Sequence, residues 1–532
     1  MTLFPQYDPV CFAGQIHCGT GRIAVFTGWY DSSLVAKQLK PDQYAAIGNL
    51  YSAATGIDPA IRNLLANPQV DVVACLSATG ADTNANSPSL LLAAFLQEPS
   101  DPVLVADDTG VNYWGSINPD LGLVRVKDDI PIEYLRLLKS RISPICFSGN
   151  LASARDLILY CQSLALRPRM EIAPSQSPIR IPPPEVKLSI LPGPSHGVTV
   201  SGETISETWL KIVHAIYTTG QVTPTGNGQP WQELINLVAV VHNEPEDLYF
   251  PSGNWFPCTR EYLFGTESAS GYVGQMVYDS QYEQGIKYTY GQRMRSWFGK
   301  DQVEEVVSKL VNERDAASGV ISLWDPGSGL NARHDREADS SDHTYGKSPC
   351  LNHVWLRIKA SGELVLTALF RSNDMYSAWP SNAMGLRCLQ RHVFDRLREE
   401  GVQDITMGPL ITTSLSAHLY RDCWPDAEKV VNLYNRTFAK PGFSDPVGSY
   451  TVHRDPDRAG VVVVRRLGVG TNARQCTFYE GTNPNRLLRE IALDAPSIDP
   501  SHMGYLGMEI TRAFLDPNFV QDAPWWKKPS LG

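Results

Sequence analysis

Ser348-Pro349-Cys350-Leu351, a hairpin-like span, and then Leu369-Phe370-Arg371-Ser372-Asn373-Asp374-Met375 with Trp379-Pro380-Ser381-Asn382 form the stretch on which the reading of this chain turns. A cysteine beside a proline is followed, on the far side of the span, by an arginine. A free thiol of pKa about 8.5 is mostly protonated at neutral pH, so a nearby cation favours the nucleophilic thiolate. The planar fork of Arg371 can supply that cation, and can also hold a phosphate through two bonds. The Asn382 amide offers both a donor and an acceptor to a planar polar edge.

Working outward, Glu207-Thr208-Trp209-Leu210-Lys211-Ile212-Val213-His214-Ala215-Ile216 reads as a helix. Trp231-Gln232-Glu233-Leu234-Ile235-Asn236-Leu237 sets a carboxyl in an apolar run, which suits proton transfer near neutrality. Tyr288-Thr289-Tyr290-Gly291-Gln292-Arg293 and Gly319-Val320-Ile321-Ser322-Leu323-Trp324 follow. Downstream, Ser416-Ala417-His418-Leu419-Tyr420 places His418 and Tyr420 two apart, on one face of a strand. A lone cysteine is most often a buried structural thiol, and a lone His-x-Tyr most often packing. Taken singly, each of these segments is a weak signal.

Taken together, over about residues 205–424, these segments resemble the thymidylate synthase family, whose members include pyrimidine hydroxymethylases. The spacing from Arg371 to Asn382 matches the family pattern without a gap. The resemblance implies a mixed sheet flanked by helices, a homodimer formed through the sheet, and C5 methylation of dUMP. The co-substrate would be 5,10-methylenetetrahydrofolate or another reduced pterin, with no metal. Cys350 would attack pyrimidine C6, Arg371 would activate the thiol and hold phosphate, Glu233 would organise water and shuttle protons, and Tyr290 would assist proton removal from C5. Ser372 would assist at the phosphate, His418 and Tyr420 would hold the 3′-hydroxyl, and Asp374 would contact the pterin ring. Asn382 would read the base edge; relatives acting on cytosine carry an acid there, so the amide favours uracil. A hydroxymethylase, or a degenerate domain that binds nucleotide or folate, are the alternatives.

The chain also departs from the pattern. Where the family supplies an adjacent arginine pair to the phosphate, this sequence has Ala316-Ala317-Ser318, with only Arg314 nearby. Arg293, Arg333 or Arg336 are then the candidate replacements. Thr223-Pro224-Thr225-Gly226-Asn227-Gly228 stands in place of the N-terminal arginine loop, and Ser416 where an aspartate usually precedes the matched histidine. The family's closing tail is not visible. These features resemble the shorter archaeal-type branch.

The 532 residues suggest two to four domains. With 43% hydrophobic and 19% charged residues the balance is globular, and a net charge of −10 argues against a nucleic-acid polymer as partner. No run approaches the roughly 18–20 apolar residues that span a bilayer, and the N-terminus lacks a secretory pattern. Ten cysteines without a CxxC pair suit a reducing cytoplasm, with no membrane partner. Asp335-Arg336-Glu337-Ala338-Asp339-Ser340-Ser341-Asp342-His343 reads as a solvated loop rather than a metal site.

The expected fold class is α/β and α+β, multidomain. Residues 1–172 read as an N-terminal α/β domain of unknown function, with strands at 21–26, 70–76 and 122–126 and helices near 44–53 and 89–96. Through 71–81 it is similar to the corrinoid-binding component of the methanogen methyltransferase complex, which ligates its corrinoid through a histidine in the loop after this strand. Here that loop, Ser77-Ala78-Thr79-Gly80-Ala81-Asp82-Thr83-Asn84, has no histidine, which argues against a corrinoid. A proline-rich segment at 173–200 is read as a linker or surface crossing. Residues 201–426 form the synthase-like mixed-sheet domain. Residues 427–532 form a small C-terminal α/β domain of unknown function, with a helix at 427–437, a buried strand at 460–466 and helices at 487–493 and 503–515.

Overall fold

The computed structural model describes residues 5–106, 112–165, 177–183, 188, 190–225, 230–251, 255–265, 271–279, 281, 285–286, 288–327, 341–344, 348–437, 447–467 and 476–523. The chain forms two compact units, Met1–Arg436 and Thr437–Gly532.

The first unit begins with a five-stranded sheet in the order His17–Cys18, Ala46–Gly48, Ile23–Phe26, Val72–Ser77, Ser143–Ser148. The last four strands run parallel and the first is antiparallel. Both faces of such a sheet are covered, so its inner strands are apolar throughout. Val72–Ser77 is buried at every residue. Alternate side chains feed two cores. Ala24, Ala46, Val73 and Cys75 face the helices Ala53–Ala66 and Pro88–Gln97, whereas Ile23, Ile47, Val72 and Ala74 face Ala152–Ala165. The helix expected near 44–53 is not formed. Ala46–Gly48 is a strand there, because Ala46 and Ile47 register against Ala24 and Val25, and the helix starts only at Ala53.

Residues 173–176, 184–187 and 189 of the proline-rich segment lie outside the described residues. Within the described part, 177–183 is tied down rather than loose. Ile179 N–H donates to the Leu65 carbonyl at 3.1 Å, and the fully buried Arg62 reaches the carbonyls of Ile181 and Pro182.

The second sheet of this unit has eight strands. Its main path runs Gln221–Thr223, Trp231–Val241, Thr406–Tyr420, Glu363–Phe370, Leu351–Ile358, Val320–Ser322, with Thr199–Gly202 and Asn373–Asp374 attached in parallel. The 21-residue helix Trp379–Glu399, started by Pro380 in its first turn, buries Leu386, Leu389, Val393 and Leu397, the spacing of one helical face. Two indoles fix its entry: Trp379 Nε1 donates to Thr412 Oγ1 at 2.9 Å, and Trp209 Nε1 to the Met375 carbonyl at 2.8 Å. On Leu351–Ile358 and Glu363–Phe370, buried and partly exposed residues alternate, so one sheet face is packed and the other is open.

The second unit is a three-stranded antiparallel sheet, Ser449–Arg454, Val462–Leu467, Cys476–Gly481, covered by the helices Pro484–Asp494 and Pro500–Leu515. Tyr450, Val452, Val464, Ile491, Leu506 and Ile510 make its core. The architecture is mixed α/β and multidomain, as the sequence indicates. No helix among the described residues is long and apolar enough to cross a membrane.

Candidate active site

The hairpin Leu351–Ile358/Glu363–Phe370 pairs Leu351 with Phe370, so the residues just outside that pair face one another. These are Cys350 and Arg371, and the Arg371 N–H donates to the Cys350 carbonyl at 2.9 Å. The guanidinium then folds back on the same loop: Nε donates to the Pro349 carbonyl at 3.1 Å and Nη2 to the Ser348 carbonyl at 2.8 Å. Arg371 therefore clamps the segment that presents the thiol, and two of its nitrogens are committed to the backbone. The residue is nonetheless exposed. The Arg371 charge acts on the thiol in the expected direction without setting the net one. Burial pushes Cys350 up, the Arg371 charge opposes it, and Asp374 adds to the rise.

A second group stands in a row across three strands. Glu233 pairs with His418 in the antiparallel register, and His418 with Asp374 in the parallel one. Directly paired residues share a sheet face, so the three side chains lie side by side. Trp231 and Tyr420 form the next pair, and Ile235 and Ser416 the one on the other side. Ser416 Oγ donates to Glu233 Oε2 at 2.7 Å and lies 3.3 Å from His418 Nδ1. Trp231 stacks on the imidazole with centroids 4.0 Å apart. His418 is 2% exposed, and burial pushes its pKa down to about 4 against the smaller opposing pulls of a Ser416 backbone hydrogen bond and Glu233. Burial pushes Asp374 up to about 6, although its Oδ1 accepts from the N–H groups of Tyr376 and Ser377 at 3.0 and 3.1 Å.

Tyr290 opens the helix Tyr290–Arg295, capped by Thr289, whose Oγ1 accepts from Gln292 N–H at 3.0 Å. Burial holds the Tyr290 phenol well above its ordinary value, with Tyr288 and Cys350 as further causes. Tyr420 is raised by burial, then by Asp374 and Cys350, so these groups share one electrostatic neighbourhood. Ser372 is half-buried beside Arg371. Asn382 is buried: its Oδ1 accepts from the Tyr272 hydroxyl at 2.6 Å and its Nδ2 donates to Asn373 Oδ1 at 3.4 Å. Tyr272, Tyr288 and Trp231 were not singled out in the sequence as site residues. Two of them do have a local signal, since Tyr288 and Trp231 stand two positions before Tyr290 and Glu233.

Arg293, one of the candidate phosphate cations, serves another purpose. Its Nη1 and Nη2 pair with Asp342 Oδ2 and Oδ1 at 2.9 and 3.0 Å, its face covers Trp297 at 3.7 Å, and neither partner of the ion pair is exposed. Asp342 is thus a buried counter-ion, and the reading of a solvated loop fails at 341–342; 335–340 lie outside the described residues. Arg333, Arg336 and 226–228 also lie outside them. Arg314 donates to the Asp404 carbonyl. Among the described residues no group of three or more His, Cys, Asp or Glu could hold a metal ion.

Comparison with known proteins places two family matches on the chain, thymidylate synthase over residues 261–445 and PterinBD-DUF4346 over residues 444–520. Curated relatives, each carrying the name "Putative thymidylate synthase", are similar to a part of the chain. The one from Methanothermobacter marburgensis is 31% identical over 238 residues, 44% of this chain and 97% of the relative. The one from Methanothermobacter thermautotrophicus is 31% identical over 235 residues, 43% of this chain and 95% of the relative. The one from Methanopyrus kandleri is 30% identical over 234 residues, 44% of this chain and 98% of the relative.

Proposed function

The chain belongs to the thymidylate synthase family, and on that premise we propose that it methylates C5 of dUMP with 5,10-methylenetetrahydrofolate, or another reduced pterin, as co-substrate. The observation that carries this reading is the hairpin closure that sets Cys350 against Arg371, beside the row Glu233, His418, Asp374. The Cys350 thiolate attacks C6, and the electrons of the C5–C6 double bond move toward C5 and the O4 carbonyl. C5 then takes up the one-carbon unit, which the co-substrate supplies together with a hydride. Tyr290 assists loss of the C5 proton, and the C6–S bond breaks to return the thiolate. Glu233 moves protons at O4 through water. Arg371 and Ser372 meet the phosphate, His418 and Tyr420 the 3′-hydroxyl, Asn382 the base edge, and Asp374 the pterin.

Two features support the partners in this reading. The PterinBD-DUF4346 match fits a pterin-type co-substrate. The open sheet face carries Trp355, Val365, Leu369, Ile411 and Leu415 at partly or fully exposed positions, an apolar surface suited to a homodimer. Tritium release from [5-³H]dUMP in the presence of the reduced pterin tests the reaction, with labelled dCMP in parallel. Release from dUMP alone is expected. Release from dCMP alone would move the reading to a cytosine hydroxymethylase, and release from neither, with folded protein, to a binding domain.

A further inference from the structure

Ser416 sits between Glu233 and His418, and its single hydroxyl proton constrains both neighbours. A hydroxyl has one proton and two lone pairs. Ser416 Oγ donates that proton to Glu233 Oε2 at 2.7 Å. Toward His418 Nδ1, 3.3 Å away, the same oxygen can then only accept. A hydrogen on Nδ1 satisfies that contact, and the Ser416 backbone also favours a proton on this side of the ring. Burial keeps the imidazole neutral, so only one ring nitrogen is protonated and Nε2 is left with a bare lone pair. Nε2 is buried and has no hydrogen-bond partner among the described residues. The ring is held in plane by the Trp231 stack at 4.0 Å. A buried acceptor without a partner is costly, and the cost is relieved by a ligand group that donates.

We propose that Ser416 is a positioning residue that locks His418 as the Nδ1–H tautomer, so that the buried Nε2 accepts from a hydroxyl of the bound ligand. The identification of that hydroxyl with the sugar 3′-OH of a deoxynucleotide rests on the reading given above; the tautomer does not. The arrangement selects for a free hydroxyl, since neither a 3′-deoxy sugar nor a 3′-O-alkyl sugar can donate there. It also gives a physical use to a position where Ser416 replaces the aspartate usual in the family. A hydroxyl accepts from Nδ1 as a carboxylate would, and it donates to Glu233 at the same time.

Long-range ¹H–¹⁵N correlation spectra of the full chain, labelled at histidine and free of ligand, report which ring nitrogen of His418 is protonated. The Nδ1–H pattern is expected in the native chain and in Ser416→Thr, which keeps the hydroxyl. Ser416→Ala is expected to lose the preference and populate Nε2–H. An Nε2–H pattern in the native chain, or an unchanged pattern in Ser416→Ala, would overturn the proposal. Binding of dUMP and of its 3′-deoxy analogue separates the two layers. Discrimination on the order of tenfold in the native chain, diminished in Ser416→Ala, supports both. Nδ1–H without any dUMP binding supports the role of Ser416 and overturns only the choice of ligand.

Discussion

Arg371 and Cys350 meet at the open end of one hairpin, with the Arg371 N–H donating to the Cys350 carbonyl at 2.9 Å and the guanidinium folding back to the carbonyls of Pro349 and Ser348. A single side chain thus fixes the loop that carries the thiol and supplies the positive charge beside it. Burial still dominates the thiol, so Cys350 is mostly protonated at neutrality.

Arg371→Gln is expected to raise the Cys350 pKa further, because the charge that opposes burial is removed together with the clamp on the loop. Alkylation of Cys350 by iodoacetamide, followed by peptide mass spectrometry across pH 7–10, should slow several-fold and shift to higher pH. An unchanged profile would mean that Arg371 does not act on the thiol.

His418 gives a stability signature in acid. Its folded value of about 4 lies below the ordinary 6.5, so between these values the unfolded chain binds the proton and the folded chain does not. Stability is full above about 6.5 and falls as pH drops toward 4, by about 3 kcal/mol. His418→Gln should flatten that part of the curve in denaturant titrations.

Asp374 has the opposite sign. Its folded value of about 6 lies above the ordinary 3.8, so the folded chain holds a proton that the unfolded chain has lost. Its contribution is present below about 3.8 and is lost as pH rises through about 6, amounting to about 2–3 kcal/mol. Asp374→Asn should remove this loss and gain stability at pH 7 relative to pH 4, measured by urea midpoints.

Arg293→Met leaves the Asp342 carboxyl buried without its bidentate partner. The expected cost is about 3–5 kcal/mol, read as a lowered thermal midpoint. A fully stable variant with weakened nucleotide binding would instead return Arg293 to the phosphate.

These cases also show what the sequence made legible. Val72–Ser77 and the 351–370 hairpin are readable because a continuous apolar run and a periodic one are local signals. The segment 44–53 reads as helix from Ala45, Ala46, Leu50 and Ala53, yet Ala46–Gly48 becomes a strand through pairing with Ile23–Phe26. That partner is not visible from local propensity. Arg293 and Asp342 are 49 residues apart, and a charge in a polar run gives no sign of an ion pair at that separation. Ser416 meets Glu233 across 183 residues, so its part in the row emerges only from the register of two strands. Cys350 and Arg371 are adjacent in space because the hairpin between them, itself a local signal, closes on the Leu351–Phe370 pair.

The central claim, a Cys350 nucleophile acting at pyrimidine C6, is tested most directly by trapping. With 5-fluoro-dUMP and the reduced pterin, fluorine at C5 cannot leave as a proton does, so the cysteine adduct should persist. Mass spectrometry of the full chain should show one nucleotide per protein, mapped to the Cys350 peptide and absent in Cys350→Ser. No adduct on folded protein, or an adduct on another cysteine, would contradict the account.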